Sequence, residues 1–144
     1  MNLPPQLETK FQTLETRYPI KRSALIPMLL YAQDQFGYVS DDMLGEIARR
    51  LDLNVLQVTE TMAYYSMLRR KRAGKFHVQV CTNVSCMLRG GNKLYEFVQK
   101  KLEIGHKETT EDGVFSLEEV ECLGACTGAP AMQVNYDFYE NLTT

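Results

Sequence analysis

The sequence has few of the features that mark exported, membrane-spanning or disordered proteins. Its 144 residues include no tryptophan, and no stretch approaches the roughly 18–20 consecutive apolar residues that a membrane-spanning helix requires. The first ten residues mix polar and apolar side chains and include Glu8, so we expect no secretory signal peptide and no direct membrane insertion. The content of 44% hydrophobic and 24% charged residues is typical of a globular protein. We therefore expect a protein of the reducing cytoplasm.

Several binding and catalytic motifs are also missing. No Gly-rich phosphate loop follows a predicted strand, so we expect neither a nucleotide site nor a flavin site on this chain. No C-x-x-C pair is present, which argues against a thioredoxin-type dithiol. The basic run from Arg69 to Arg72 has little aromatic interleaving, and the rest of the chain is acidic. We therefore do not expect a nucleic-acid partner.

Charge and cysteine are unevenly distributed along the chain. Residues 1–75 carry eleven Lys and Arg against eight Asp and Glu, whereas residues 76–144 carry five against ten. All four cysteines lie in the acidic half. This change of composition predicts two small domains, a helical bundle over residues 1–74 and a second domain over residues 75–144.

The first half has apolar residues at helical spacing. This spacing predicts four short helices that begin near Gln6, Ser23, Ser40 and Asn54, where Ser40 and Asn54 are suitable N-caps. We expect them to form a four-helix bundle without a catalytic cluster. We also expect the basic run 69–72 to end the fourth helix. The same periodicity places four further residues mostly in the core: Tyr64, Tyr65, Met67 and Leu68.

The second half has the pattern of an α+β domain. Residues 76–80 alternate as a strand, and a helix is predicted to begin at the glycine pair 90–91. Residues 114–121 form a second predicted strand, in which Glu118, Glu119 and Glu121 are expected on an exposed face. Residues 131–135 and 138–141 are the predicted strands of a hairpin.

The cysteines form two close pairs, each at the end of a predicted strand. Their spacings are Cys81-x4-Cys86 and Cys122-x3-Cys126. If the two strands are neighbours in one sheet, both cysteine loops lie at the same edge and four thiolates can converge. A [2Fe–2S] cluster takes two cysteines on each iron, so the spacing favours an iron–sulfur site.

Two glycines in the second cysteine loop support this interpretation. Gly124 and Gly128 allow positive φ angles and a close approach of the backbone. We expect their loop to direct backbone N–H groups at cluster sulfurs, which stabilises the negative charge of a cluster with four thiolates.

Other uses of four cysteines remain open from the residues alone. Structural zinc usually uses C-x2-C pairs, and both pairs here are wider. Two disulfides would require export, and a stand-alone thiol oxidoreductase would lack its usual dithiol. Neither His77 nor His106 is placed for a Rieske-type centre with two histidine ligands, so we expect both to be structural or surface residues.

The stretch from Asp112 to Pro130 resembles the signature of the thioredoxin-like [2Fe–2S] subunit of respiratory complex I (NADH:quinone oxidoreductase). The segment from Val80 to Cys86 matches the other half of that signature, and the resemblance continues upstream through residues 18–25 and 36–40. It implies an N-terminal four-helix bundle followed by a thioredoxin-like α/β ferredoxin domain. It also implies four cluster ligands, which are Cys81, Cys86, Cys122 and Cys126.

The same resemblance implies a place in a larger enzyme. The expected function is single-electron exchange with a flavin, with FMN and NADH bound to a partner subunit and the chain held at the membrane through the complex. Similar subunits occur in NAD-linked hydrogenases and formate dehydrogenases, and a zinc-stabilised adaptor is a remoter alternative. Family members usually continue past residues 141–143 into a helix that covers the sheet. We therefore expect a partner, or sequence beyond Thr144, to provide that cover.

Overall fold

Four α-helices make up the first of two units in the computed structural model, which describes residues 2–144. This unit ends at Arg72 and the second runs from Ala73 to Thr144. The helices share one apolar core, at the centre of which Phe11, Met28 and Ile47 are fully buried. Their bounds are α1 Pro5–Arg17, α2 Leu25–Phe36, α3 Asp41–Leu51 and α4 Val55–Tyr64, with a short 3-10 helix at Lys21–Ala24.

The predicted helix starts at Ser40 and Asn54 are confirmed. The Ser40 side chain accepts a hydrogen bond from the Met43 N–H, and Asn54 forms a capping box with Gln57. Gly37 ends α2 with a φ of +82°, a conformation that glycine adopts without steric cost. These local signals place the starts of α3 and α4 and the end of α2.

The predicted end of the fourth helix is wrong. Because α4 stops at Tyr64 and the next residue is extended, helical periodicity no longer decides which side chains face the core. Tyr64 is 82% exposed and Met67 is 53% exposed, whereas Leu68 is buried. The basic run does not end the helix either. Instead, the Arg69 N–H donates to Gln33 Oε1, so the segment is held against α2.

A partly buried ion-pair network, centred on Glu46 and Arg50, joins α1 to α3. Glu46, only 8% exposed, accepts hydrogen bonds from Arg49 and Arg50. Arg50 in turn donates to Glu8 at 2.6 Å and to Glu15 at 3.2 Å. The hydrogen bond from Arg49 lowers the pKa of Glu46 against the opposing effect of burial, and Arg50 lowers it further, to about 2.

This network predicts an acid-sensitive first unit. Since the Glu46 pKa lies below its usual value of 4.5, the ion pair stabilises the fold above that pH and its contribution is lost as the pH falls from about 4.5 to about 2. We expect the free energy of unfolding of the Glu46→Gln variant to be about 1–3 kcal/mol lower at neutral pH and to show a flatter pH dependence in this range. Urea unfolding at several pH values measures both effects. Equal pH slopes in the variant and the wild type would contradict this role for Glu46.

The second unit is a five-stranded sheet with two helices. The elements are β1 Phe76–Cys81, α5 Val84–Leu88, α6 Gly91–Leu102, β2 Glu108–Thr109, β3 Phe115–Val120, β4 Met132–Val134 and β5 Asp137–Tyr139. The strand order is β2-β3-β1-β4-β5, in which β1 and β3 are parallel and the other pairs are antiparallel. Side chains of β1, β3 and α6 form an apolar core that includes Val78, Val80, Leu94 and Leu117.

Two short elements, α5 and β2, are not predicted by the sequence pattern. The pattern also predicts the wrong exposure for one glutamate. The prediction that Glu118 is exposed is wrong, because the residue is 5% exposed and its carboxylate accepts hydrogen bonds from Gln79 and His77. Burial raises the pKa of Glu118, but these hydrogen bonds and the charge of Lys107 outweigh it, so the pKa is lowered overall. Glu119 and Glu121 are exposed as predicted. No helix within residues 2–144 is long and apolar enough to cross a bilayer.

Candidate functional site

Parallel pairing of β1 with β3 brings the two cysteine loops to one edge of the sheet. Cys81 is the last residue of β1 and is in register with Val120, the last residue of β3. Cys122 follows two residues later, and the Cys81 Sγ lies 3.6 Å from the carbonyl oxygen of Glu121. The two strands are therefore sheet neighbours, which is the condition for the two cysteine loops to lie at the same edge.

The four thiols differ in their exposure. Cys81 and Cys86 are 3% and 2% exposed, whereas Cys122 and Cys126 are exposed, and none forms a disulfide. Cys86 is delivered by α5, which begins with Asn83 as its N-cap. Cys126 begins a short 3-10 helix that ends at Gly128. The site is thus buried on the side of the first cysteine pair and open on the side of the second.

The Cys86 thiol lies near those of Cys81 and Cys126. Burial raises the pKa of the Cys86 thiol, and a hydrogen bond with Cys81 raises it further, while a backbone hydrogen bond with Ala131 lowers it. The nearby Cys81 and Cys126 groups also raise this pKa, because thiolates repel one another. Neighbouring thiols resist ionisation, because the resulting thiolates repel one another. A bound metal cation removes this repulsion and stabilises the thiolates. The donor set therefore fits an iron–sulfur cluster.

The backbone around the thiols also fits such a cluster. The N–H of Gly124 donates to Cys122 Sγ at 3.3 Å, and Gly124 has a φ of +77°. This is the N–H-to-sulfur contact predicted from the sequence. Gly128 differs from the prediction, because its φ is not positive. A Cβ atom at Gly128 would instead lie 2.2 Å from Glu140 Oε2, so this glycine makes room for a neighbouring side chain.

Gly91 is a site residue that the sequence pattern does not identify. A Cβ atom at this position would lie 2.7 Å from the Cys81 carbonyl oxygen and 2.9 Å from the backbone of Cys86. The first residue of α6 therefore packs directly against the backbone of both buried cysteines. The Gly90–Gly91 pair signals a helix start in the sequence, but only the fold shows that the cysteines lie there.

The histidines do not contribute to the cysteine site. His77 is buried and pairs with Ser116 Oγ at 2.8 Å and with Glu118 Oε2 at 3.1 Å. His106 Nδ1 accepts the N–H of Glu119. Within residues 2–144, no three His, Cys, Asp or Glu side chains are grouped to hold a single metal ion. A [2Fe–2S] cluster requires no such group of three, because each iron takes two protein ligands.

Sequence comparison finds relatives along nearly the whole chain. The chain is 42% identical over 134 residues to the E-type subunit of the NADH-quinone oxidoreductase of Rickettsia typhi, a match that covers 91% of this chain and 79% of that protein. It is 40% identical over 136 residues to the second E-type subunit of the NADH-quinone oxidoreductase of Rhizobium meliloti, covering 94% of this chain and 81% of that protein.

Structure comparison agrees on the fold. An NAD+-reducing [NiFe]-hydrogenase, in its H2-reduced state, superposes with a TM-score of 0.69 at 17% identity. The match covers 83% of this chain but only 20% of the hydrogenase chain. The sequence profile of the thioredoxin-like [2Fe–2S] ferredoxins matches residues 11–144. The chain therefore belongs to the thioredoxin-like [2Fe–2S] ferredoxin family, which the cysteine signature had indicated.

Proposed function

We propose that this chain is the electron-transfer subunit of an NADH:quinone oxidoreductase. It binds one [2Fe–2S] cluster through Cys81, Cys86, Cys122 and Cys126 and exchanges single electrons with a flavin on a partner subunit. The observation that carries the proposal is the convergence of the two cysteine loops at the paired ends of β1 and β3. The names of the similar proteins, which are E-type subunits of NADH-quinone oxidoreductases, support the choice of parent enzyme.

The bound cluster supplies one-electron chemistry, and the residues of this chain hold and insulate it. Cys81 and Cys86 would hold it from the buried side, and Cys122 and Cys126 from the exposed side. The Gly124 N–H opposes negative charge on the Cys122 sulfur. The apolar residues around the buried pair, among them Ala129 and Ala131, exclude water from that side. A cluster held in this way would be open to a partner on the side of Cys122 and Cys126.

We further propose how the chain is organised and where it is held. We assign residues 1–74 to a four-helix bundle and residues 75–144 to a thioredoxin-like ferredoxin domain. We place FMN and NADH on a partner subunit and the chain on the cytoplasmic side of the membrane, held there through the complex. The fold shared with an NAD+-reducing hydrogenase makes a complex of that kind the alternative parent enzyme.

Metal analysis and EPR spectroscopy test the cofactor assignment. The purified chain should contain about two iron atoms and about two acid-labile sulfides, and it should show a rhombic S = ½ signal after reduction with dithionite. A colourless protein with stoichiometric zinc would instead support the adaptor alternative. Disulfide reduction by the metal-free protein would support a thiol oxidoreductase.

A further inference from the structure

We propose that residues 140–142 form a clasp that positions the loop of Cys126 for cluster binding. The clasp consists of Glu140, Asn141 and Leu142, which directly follow β5. This inference rests on the proposed function, since it gives these residues a task in holding the [2Fe–2S] cluster. They are positioning residues, because they act through the backbone of the second cysteine loop.

Backbone hydrogen bonds join the clasp to the second cysteine loop. The Asn141 N–H donates to the Gly128 carbonyl oxygen at 2.7 Å, and the Leu142 N–H donates to the Pro130 carbonyl oxygen at 3.2 Å. Gly128 is the last residue of the short 3-10 helix that Cys126 begins. The first of these bonds therefore lies two residues from a proposed cluster ligand that is exposed to solvent.

Close packing at Gly128 adds to these hydrogen bonds. A Cβ atom at this position would lie 2.2 Å from Glu140 Oε2 and 2.7 Å from Glu140 Cβ. The carboxylate can rotate away from such an atom, but the Glu140 Cβ is fixed to the backbone of the clasp. A side chain at residue 128 would therefore push the clasp away from the loop. Glycine permits the close approach because it has no Cβ.

The segment 128–131 lies between the clasp and the buried cysteine pair. Its last residue, Ala131, is fully buried, and its carbonyl oxygen accepts the Cys81 N–H at 3.1 Å. Ala131 also makes a backbone hydrogen bond with Cys86. At the other end of the clasp, Leu142 packs against the apolar core of this unit. The clasp thus connects that core to the loop of an exposed cysteine, and such supporting contacts fix the orientation of metal ligands.

The exposed side of the site is where a bound cluster is most open to attack. Cys122 and Cys126 are exposed, so solvent and chelators can reach iron from that side. A ligand on a loop that is held in place rebinds after it dissociates, whereas a ligand on a loosened loop is replaced. We therefore expect the clasp to set the rate at which the cluster is lost.

The Gly128→Ala variant tests the clasp. The purified chain, loaded with its cluster, is challenged with an iron chelator, and the loss of its visible absorption is followed. The variant should lose its cluster at least about tenfold faster than the wild type, because the added Cβ forces the clasp off the loop. The EPR signal of the remaining cluster should have altered g values, since the geometry at Cys126 changes. A loss of stability alone would leave those g values unchanged.

A compensating variant keeps the test independent of a general loss of folding. Glu140→Gly removes the side chain that the new Cβ would meet. Because the two positions share one space, the double variant Gly128→Ala/Glu140→Gly should return to within about threefold of the wild-type rate. It should also recover the wild-type g values. A double variant that loses its cluster as fast as Gly128→Ala would overturn the clasp.

The matched control is Gly105→Ala, which lies between α6 and β2 in the same unit. An added Cβ there would lie 3.1 Å from Glu108 Oε2, so this alanine also meets a glutamate side chain. Gly105→Ala should keep the wild-type rate and spectrum, and an equal acceleration in it would overturn the clasp. Wild-type behaviour of Gly128→Ala would overturn the clasp and leave the proposed function intact. A wild-type chain that assembles no [2Fe–2S] cluster would refute the proposed function and the clasp with it.

Discussion

The Cys86→Ser variant is expected to assemble no stable [2Fe–2S] cluster. Cys86 is 2% exposed and lies near Cys81 and Cys126, so water has little access to this position to replace the missing ligand. A serine hydroxyl ionises far less readily than a thiol and is a poorer ligand for iron–sulfur clusters. We expect iron and sulfide contents to fall at least about tenfold, measured on the purified variant together with the EPR signal.

Substitution of an exposed cysteine should affect the cluster differently from substitution of a buried one. Cys122 faces solvent, so the Cys122→Ser variant should retain part of its cluster in a labile form with an altered EPR spectrum. His77→Gln is the control, since His77 bonds to Ser116 and Glu118 rather than to a thiol, and it should keep a wild-type spectrum. Loss of the cluster in His77→Gln with retention in Cys86→Ser would contradict the ligand set.

The Gly91→Ala variant is expected to lose most of its cluster although no ligand is changed. The added Cβ would lie 2.7 Å from the Cys81 carbonyl oxygen and 2.9 Å from the Cys86 backbone. Both contacts are with backbone, which cannot rotate away, so α6 or the two buried cysteines must shift. We expect a loss of about 1–3 kcal/mol in stability and a severalfold lower cluster content. Urea unfolding and iron analysis measure these two effects.

Gly45→Ala is the matched control for this prediction. Gly45 lies inside α3, and no atom outside the backbone of that helix comes within 4 Å of the position that a Cβ would occupy. Alanine there should raise the free energy of unfolding by about 0.5–1 kcal/mol, because glycine is the more flexible residue in the unfolded chain. The two glycine variants should thus change stability in opposite directions. A stabilised Gly91→Ala variant with full cluster content would show that α6 does not position the cysteines.

Local signals are sufficient for much of the secondary structure. Ser40 and Asn54 cap helices because their side-chain oxygens accept backbone N–H groups within three residues. The strand at residues 76–81 follows from alternation of its side chains. The short helix α5 escapes prediction because five residues are too few to show helical periodicity. The burial of Glu118 escapes prediction because its hydrogen-bond partners, His77 and Gln79, lie on another strand.

The sequence by itself determined the chemistry of this protein. Its four cysteines, their two spacings and the surrounding motif indicate the family and its [2Fe–2S] cluster, because ligand type and spacing are properties of the chain. Only the tertiary structure decided which cysteines are buried, that Gly91 packs against two of them, and that α5 turns its apolar face to solvent. These features depend on the pairing of β1 with β3, whose residues lie almost forty positions apart. Contacts over that separation are set by packing of the whole domain, which no local pattern encodes.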